Sequence, residues 1–358
     1  MKRILITKMW ALGDILMATP ILRALRREYP GCHITWLVER QYAELLQGTP
    51  FIDEVIAFDS ASWRRYYRYG QIIPYLKVST QLRRRLNAAK YDISINLTAE
   101  KWWSLWFNAA PIRIGLFPRR REGLIGRVYT KTIPRTGDPW LHNTEHYLLA
   151  AAALGISAPF EKQMVVGITP EDHKSADDFL SASDGYDPSK PVLLLHPGTS
   201  QDSKCWPAAH FAKVADAMAD RFNIVVTGSP GERALAQSVA DSAKVAHPLV
   251  AAGALPNVRQ TAALVDRAAV VVTGDTSILH IASALDTPMI GIYGSTRPKD
   301  NAPLFGRNVL LYDDTVPCSP CYKSSCPLKG EDFMRCMTQI SPAKVLECVE
   351  NALSKDSL

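Results

Sequence analysis

Residues 270–294 read VVVTGDTSILHIASALDTPMIGIYG, and the fold follows from this stretch. Val270 to Thr273 is a β-branched run of strand length. Gly274-Asp275-Thr276-Ser277 interrupts it with a residue that turns the chain and three that cap helices. Ile278 to Leu285 carries apolar residues at helical spacing, and Met289 to Tyr293 is a second apolar run. Two strands joined through a helix run parallel, and a parallel sheet needs helices on both faces.

Outward from this unit the pattern repeats. Val192 to His196 and Ile224 to Thr227 read as buried strands, with helices over Ala208 to Arg221, Glu232 to Ala243 and Val258 to Ala268. The first half alternates likewise, with strands over Arg3 to Thr7, His33 to Val38, Glu54 to Phe58, Asp92 to Leu97 and Arg113 to Leu116. Helical patterns lie between them, over Ile15 to Tyr29, Tyr42 to Gln47, Ile72 to Lys90 and Trp102 to Asn108. The turn-rich stretch Ile168 to Lys190 separates the halves. The reading is α/β, two Rossmann-like domains with parallel sheets facing a central cleft. The first domain spans 1–170, a linker 171–190, the second domain 191–340, and a C-terminal helix 341–358. With 358 residues, 47% of them hydrophobic, the chain can build two cores.

Ligands of open parallel sheets sit beyond the carboxyl ends of the strands, so the loops that follow strands are the ones to search. The first, Lys8 to Asp14, holds Gly13 for a tight turn and Asp14 where a helix cap belongs. Asp14 reads equally as a cap or as a general base. The loop lacks G-x-G-x-x-G, which argues against a dehydrogenase or a nucleotide-sugar epimerase. After His196, Thr199 and Ser200 offer hydroxyls and Lys204 a point charge for an anion, or else form an ordinary turn with a solvated lysine. Glu232 follows a glycine-containing loop and suits ribose hydroxyls, or simply the positive end of its own helix. At Gly274 to Ser277 the unpaired amides at the start of a helix make an anion site. His280 lies one turn on from Thr276, as a ligand contact or a core histidine.

Taken together and in this order, Ala-Leu-Gly-Asp-Ile-Leu-Met-Ala-Thr-Pro at 11–20, His-Pro-Gly-Thr at 196–199, Lys-Cys-Trp-Pro at 204–207, Gly-Asp-Thr-Ser-Ile-Leu-His at 274–280 and Tyr-Gly-Ser-Thr-Arg-Pro at 293–298 resemble glycosyltransferase family 9, the ADP-heptose:lipopolysaccharide heptosyltransferases. The resemblance implies a GT-B fold with an N-terminal acceptor domain and a C-terminal donor domain, inverting transfer, and no metal in the chemistry. It implies Asp14 as the base, with Lys204 and Asp275, Thr276 and Ser277 on the donor diphosphate and Glu232 near the ribose. Thr199, Ser200 and His280 complete the donor set, and Gly13, Arg64, Arg65, Arg119 and Arg120 are expected toward the acceptor. The expected donor is ADP-heptose, and the expected acceptor is a phosphorylated glycolipid, Kdo-lipid A or the heptosylated inner core. A protein or outer-core acceptor, or another nucleotide sugar, is the alternative within the family. One departure is Asp275-Thr276-Ser277, where many members have glycine third.

Four of the seven cysteines, Cys318, Cys321, Cys326 and Cys336, cluster in the segment 318–336. In a reducing compartment such a cluster suggests a structural thiolate site for Zn or Fe, against reduced thiols packing a loop. The net charge of +6 hides polarity, because residues 1–137 hold 23 basic and 10 acidic side chains while residues 188–358 hold 16 of each. An anionic partner is expected on the first domain. Arg83-Arg84-Arg85 and Arg119-Arg120-Arg121 keep a nucleic-acid-binding protein as a different class, without any recognised motif behind it. Seven of the eight tryptophans lie in residues 1–140, Trp102, Trp103 and Trp106 among them, which suits an amphipathic lipid or a packed core. Neither a signal peptide nor a membrane span is legible. The expected location is the cytoplasm, with peripheral, transient contact at the inner face of an anionic membrane.

Overall fold

The computed structural model describes residues 1–99, 110–117, 123–134 and 141–354. The chain divides into two units, Met1–Gly167 and Ile168–Leu358. Trp102, Trp103, Trp106, Arg119 and Arg120 lie outside the described residues, as does the helix expected over Trp102 to Asn108.

In the first unit the strands are β1 (Arg3–Thr7), β2 (His33–Glu39), β3 (Glu54–Phe58), β4 (Ile93–Asn96), β5 (Ile112–Phe117) and β6 (Lys131–Pro134). They form one sheet in the order β3-β2-β1-β4-β5-β6, with every pair parallel. The chain builds β1, β2 and β3 in one direction and then returns to lay β4 on the other side of β1. This reversal puts the loop after β1, with Asp14, at the switch point where α/β sheets bind ligands. The single helix expected over Ile15 to Tyr29 is two, Leu12–Ala18 and Pro20–Glu28. Pro20 lacks the N–H needed to continue the first, and Thr19 closes it with a hydrogen bond from Oγ1 to the Leu16 carbonyl at 2.7 Å.

The second unit has β7 (Val192–His196), β8 (Asn223–Val226), β9 (Leu249–Val250), β10 (Ala268–Gly274), β11 (Met289–Tyr293) and β12 (Asn308–Tyr312). Its sheet, also parallel throughout, runs β12-β11-β10-β7-β8-β9. Here the switch point falls between β7 and β10, whose register sets Thr273 opposite His196. Every residue of β7 and β11 is buried, which is why they read as unbroken apolar runs. The helix Ser277–Leu285 buries seven of its nine residues and packs against β10 and β11.

The stretch read as a linker, 171–190, instead carries most of a 13-residue helix, Pro170–Ala182. Thr169 and Asp172 form a reciprocal capping box, and Asp172 is ion-paired to Arg259 at 2.6 Å. Ala176 and Leu180 are buried, so this helix belongs to the second unit. The C-terminal helix, Pro342–Ser354, sends Val345, Cys348 and Val349 into the core that also holds Trp206, Phe211 and Ile292. Among the described residues no helix is long and apolar enough to cross a membrane.

Candidate active site

At the switch point of the second sheet two loops meet. The loop after β7 folds into a short 3-10 turn, Asp202–Lys204, and the loop after β10 begins with Asp275. Their approach depends on Gly274, because a β-carbon there would lie 3.0 Å from the Lys204 carbonyl oxygen and 3.3 Å from Thr199 Cγ2. Lys204 Nζ stands 2.6 Å from Asp275 Oδ2, and the two side chains are 13% and 5% exposed. Thr296 Oγ1 donates to the same oxygen at 2.8 Å, and Asn301 Nδ2 donates to Oδ1 at 3.2 Å. Burial by itself would raise the pKa of Asp275. The Lys204 charge, hydrogen bonds from Lys204 and Thr296, and His280 nearby outweigh burial and hold the carboxyl below its ordinary range. This site therefore holds a buried Asp275 carboxylate against Lys204 at the start of a helix.

Thr276 is the N-cap of the helix Ser277–Leu285, its hydroxyl accepting from the Ile278 N–H at 3.2 Å. Of the residues Gly274 to Ser277 expected to present open amides, Gly274 is instead the last residue of β10, in register with Ile292, and the cap takes the amide of Ile278 just beyond them. His280 is buried one turn along. Thr199 Oγ1 closes its own loop on the Gln201 carbonyl at 2.6 Å, while Ser200 is exposed. Glu232, after β8, shares a capping box with Ser229, whose N–H donates to Oε2 at 2.7 Å. Its other carboxylate oxygen fills the space above Gly198, 2.0 Å from where a β-carbon would be. His196 lies deeply buried beside it, and burial outweighs the Glu232 charge to lower its pKa, so the imidazole is neutral.

In the first unit Asp14 is not the helix cap. Ala11, at φ 64°, holds that position without a side-chain cap bond, and Asp14 sits inside the first turn beside Gly13. Its Oδ2 is 3.1 Å from Nζ of Lys8, a lysine only 6% exposed at the end of β1. The Lys8 ammonium also lies 5.5 Å from the ring centre of Tyr147. Asp14 is thus a partly exposed carboxylate held by a buried lysine, inside the helix and not at its cap. Trp10, in the same loop, donates from Nε1 to Ser60 Oγ at 2.8 Å, and Arg64 stacks over its ring at 5.1 Å. Arg64 is therefore brought to the Asp14 loop, and Arg65 follows it, exposed, on the helix Ser60–Arg68.

Residues 79–331 match the profile of glycosyltransferase family 9 (heptosyltransferase). The chain belongs to glycosyltransferase family 9. This glycosyltransferase is 27% identical to lipopolysaccharide heptosyltransferase 1 of Pseudomonas aeruginosa over 374 aligned positions, which cover 98% of each protein. Among solved structures it is similar to the glycosyl transferase family 9 protein of Veillonella parvula, with a TM-score of 0.82 at 23% identity, covering 99% of this chain and 97% of that one. It is also similar to the E. coli ADP-heptose LPS heptosyltransferase II, with a TM-score of 0.76 at 20% identity over the whole of both. The shared fold is the GT-B type expected from the sequence.

In the glycosyltransferase, the cysteine segment braces the loops after β7 and β11. Ser203 donates its N–H to the Ser324 carbonyl at 3.1 Å and its hydroxyl bonds Ser295 at 3.0 Å, while Tyr322 N–H donates to the Ser295 carbonyl at 2.8 Å. Cys318, Cys321, Cys326 and Cys336 line one cavity of about 140 Å³. The expected metal site is nevertheless not supported by their arrangement. Among the described residues no three His, Cys, Asp or Glu side chains are placed to hold an ion. Burial, with the three neighbouring cysteines, pushes the Cys336 thiol up to about 11.

Sequence reasoning missed Lys8 and Asn301. A lysine at a strand end ordinarily reads as solvated, and Asn301 closes a one-turn helix, Pro298–Asn301, too short to show a pattern. The Glu232 carboxylate over Gly198 yields a prediction. Gly198→Ala is expected to displace only the flexible end of Glu232. Stability should fall by about 1 kcal/mol as the capping box with Ser229 opens, while ADP affinity of the glycosyltransferase falls about tenfold, the size of one lost hydrogen bond to a charged group. Calorimetric titration with ADP beside a thermal melt checks this, and unchanged affinity would remove Glu232 from the nucleotide site.

Proposed function

We propose that this glycosyltransferase moves heptose from ADP-L-glycero-D-manno-heptose onto a lipopolysaccharide core acceptor, Kdo-lipid A or the heptosylated inner core, with inversion at the anomeric carbon. The observation that carries the donor half is the Lys204–Asp275 pair beside a capped helix start at the switch point of the second sheet. A diphosphate needs a cation whose position is fixed and backbone amides that carry no counter-charge. Asp275 fixes the cation, and the amides of Thr276 and Ser277 complete the cradle. Thr199, Ser200 and His280 border it, and Glu232 reaches the ribose hydroxyls.

Transfer is a single displacement. The acceptor oxygen forms a bond to the anomeric carbon as the bond from that carbon to the phosphate oxygen breaks, and ADP leaves with the electron pair. Asp14 takes the proton of the acceptor hydroxyl, and Lys204 with the helix-start amides meets the charge that develops on the departing phosphate. Gly13, Arg64, Arg65, Arg119 and Arg120 serve the acceptor's carboxylates and phosphates. The full-length similarity to lipopolysaccharide heptosyltransferase 1 supports this choice of sugar and acceptor. Work on such an acceptor places the protein in the cytoplasm, peripheral to the inner membrane.

The test is a matrix of ADP-, GDP- and UDP-sugars against heptose-deficient lipopolysaccharide fragments, with products identified by mass. One added heptose from the ADP donor alone is expected. Transfer from another nucleotide sugar, or none to any fragment, would overturn the assignment.

A further inference from the structure

Residues 60–91 contain eight basic side chains and no acidic one. They form two helices, Ser60–Arg68 and Ile72–Ala88, that meet at a sharp corner. Gly70, at φ 66°, ends the first helix, with Gln71 N–H donating to the Tyr66 carbonyl at 2.8 Å and Gly70 N–H to that of Tyr67 at 3.2 Å. The inner faces are firmly seated. Trp63 stacks on Tyr75 at 5.3 Å and donates to Ser79 Oγ at 2.8 Å, and Leu82 and Leu86 are buried behind them. What the corner turns outward is therefore fixed, and it is apolar: Ile73 is 82% exposed, Ile72 66% and Tyr69 67%, with Tyr67 and Leu76 beside them. Five large hydrophobic side chains exposed within ten residues form a patch that a solvated surface does not require. Arg65, Arg68, Lys77 and Arg84 stand exposed on the same two helices.

From this juxtaposition we infer that the corner between the helices Ser60–Arg68 and Ile72–Ala88 is the surface by which the protein docks on an anionic lipid bilayer. Aliphatic and tyrosine side chains enter the headgroup layer while the arginines and lysines meet lipid phosphates. A second copy of the chain is a poor occupant, since a symmetric contact would set this wholly basic face against itself. A nucleic acid would use the charge but has nothing to cover Ile72 and Ile73. The inference rests on the reading of a lipid-held acceptor and locates the contact that such an acceptor requires.

The full chain should be sedimented with phosphatidylcholine vesicles and with vesicles one-third phosphatidylglycerol, as wild type and as the double variant Ile72→Ser with Ile73→Ser. Neither residue belongs to the proposed active site. Wild type is expected to bind the anionic vesicles only, and to release them in high salt. The double variant should bind about tenfold more weakly, since only side chains buried in lipid are changed. Its melting temperature and its activity on an acyl-free acceptor should stay as in wild type. Failure of wild type to bind, equal binding by the variant, a dimer that the variant dissociates, or tighter binding to RNA than to vesicles would each overturn the inference. Wild type that binds vesicles yet transfers nothing to the acyl-free acceptor would instead count against the proposed reaction, leaving the docking surface in place.

Discussion

Asp14→Asn is expected to lower kcat by about 10²- to 10⁴-fold, the range a positioned general base supplies. The substitution keeps the shape of the side chain and removes its ability to take a proton. Nucleotide affinity should change less than about twofold, because Asp14 lies in the first unit and every proposed donor residue in the second. A second effect comes from Lys8, which is 5% exposed and 3.1 Å from the carboxylate. Losing the negative partner leaves a buried ammonium with a weaker acceptor, at a cost of about 1–3 kcal/mol of stability. Stopped assays, ADP titration and denaturant unfolding check turnover, affinity and stability in turn. Full turnover in Asp14→Asn would remove the residue from the chemistry. Loss of ADP affinity to the same degree as turnover would make it structural.

The sequence carried the architecture of both sheets because their central strands are buried on both sides and so leave plain apolar runs, as at Val192–His196 and Met289–Tyr293. It did not carry three of the four edge strands, β3 at Glu54–Phe58 being the one that was legible. β6 is four residues ending in proline, β9 is two residues, and β12 is half-buried throughout. Short edge strands leave little pattern, and natural sheets keep them so. The residues expected at the candidate site were named one at a time from the loops that follow strands, and Lys8 and Asn301 were not among them. The pairing within the site was not legible. Lys204 and Asp275 are 71 positions apart and meet because β10 returns to lie beside β7 instead of continuing past β9. That choice is topological, and local pattern holds no trace of it. For the same reason Asp275 read as part of an open helix start, when burial and Lys204 make it half of an ion pair.

Lys204→Ala should therefore strike stability and binding together, and pH separates the two effects. In the wild type the Asp275 carboxyl is held below its ordinary range. A folded-state pKa below the unfolded value of about 3.9 contributes stability that is present above that value and lost only as pH falls through the lower one. Without Lys204 the sign reverses. Burial, the largest influence on Asp275, is then opposed by Thr296 and His280 without the Lys204 charge, and the folded pKa is expected to rise above the unfolded value. An ionised Asp275 then opposes folding at neutral pH, so the variant should lose about 3–5 kcal/mol at pH 7, as expected when one member of a buried pair is removed. The deficit should shrink as pH falls and the carboxyl takes up a proton. ADP affinity should fall by about 10- to 100-fold, one charge-assisted hydrogen bond to phosphate, at every pH. Adding Asp275→Asn to Lys204→Ala removes the unpaired charge and should restore most of the stability while leaving ADP binding weak. Denaturant titrations of both variants from pH 5 to 8, with ADP calorimetry, make the comparison. A deficit independent of pH would refute the ion-pair account of Asp275. Restored ADP binding in the double variant would show that Lys204 serves the fold alone and touches no phosphate.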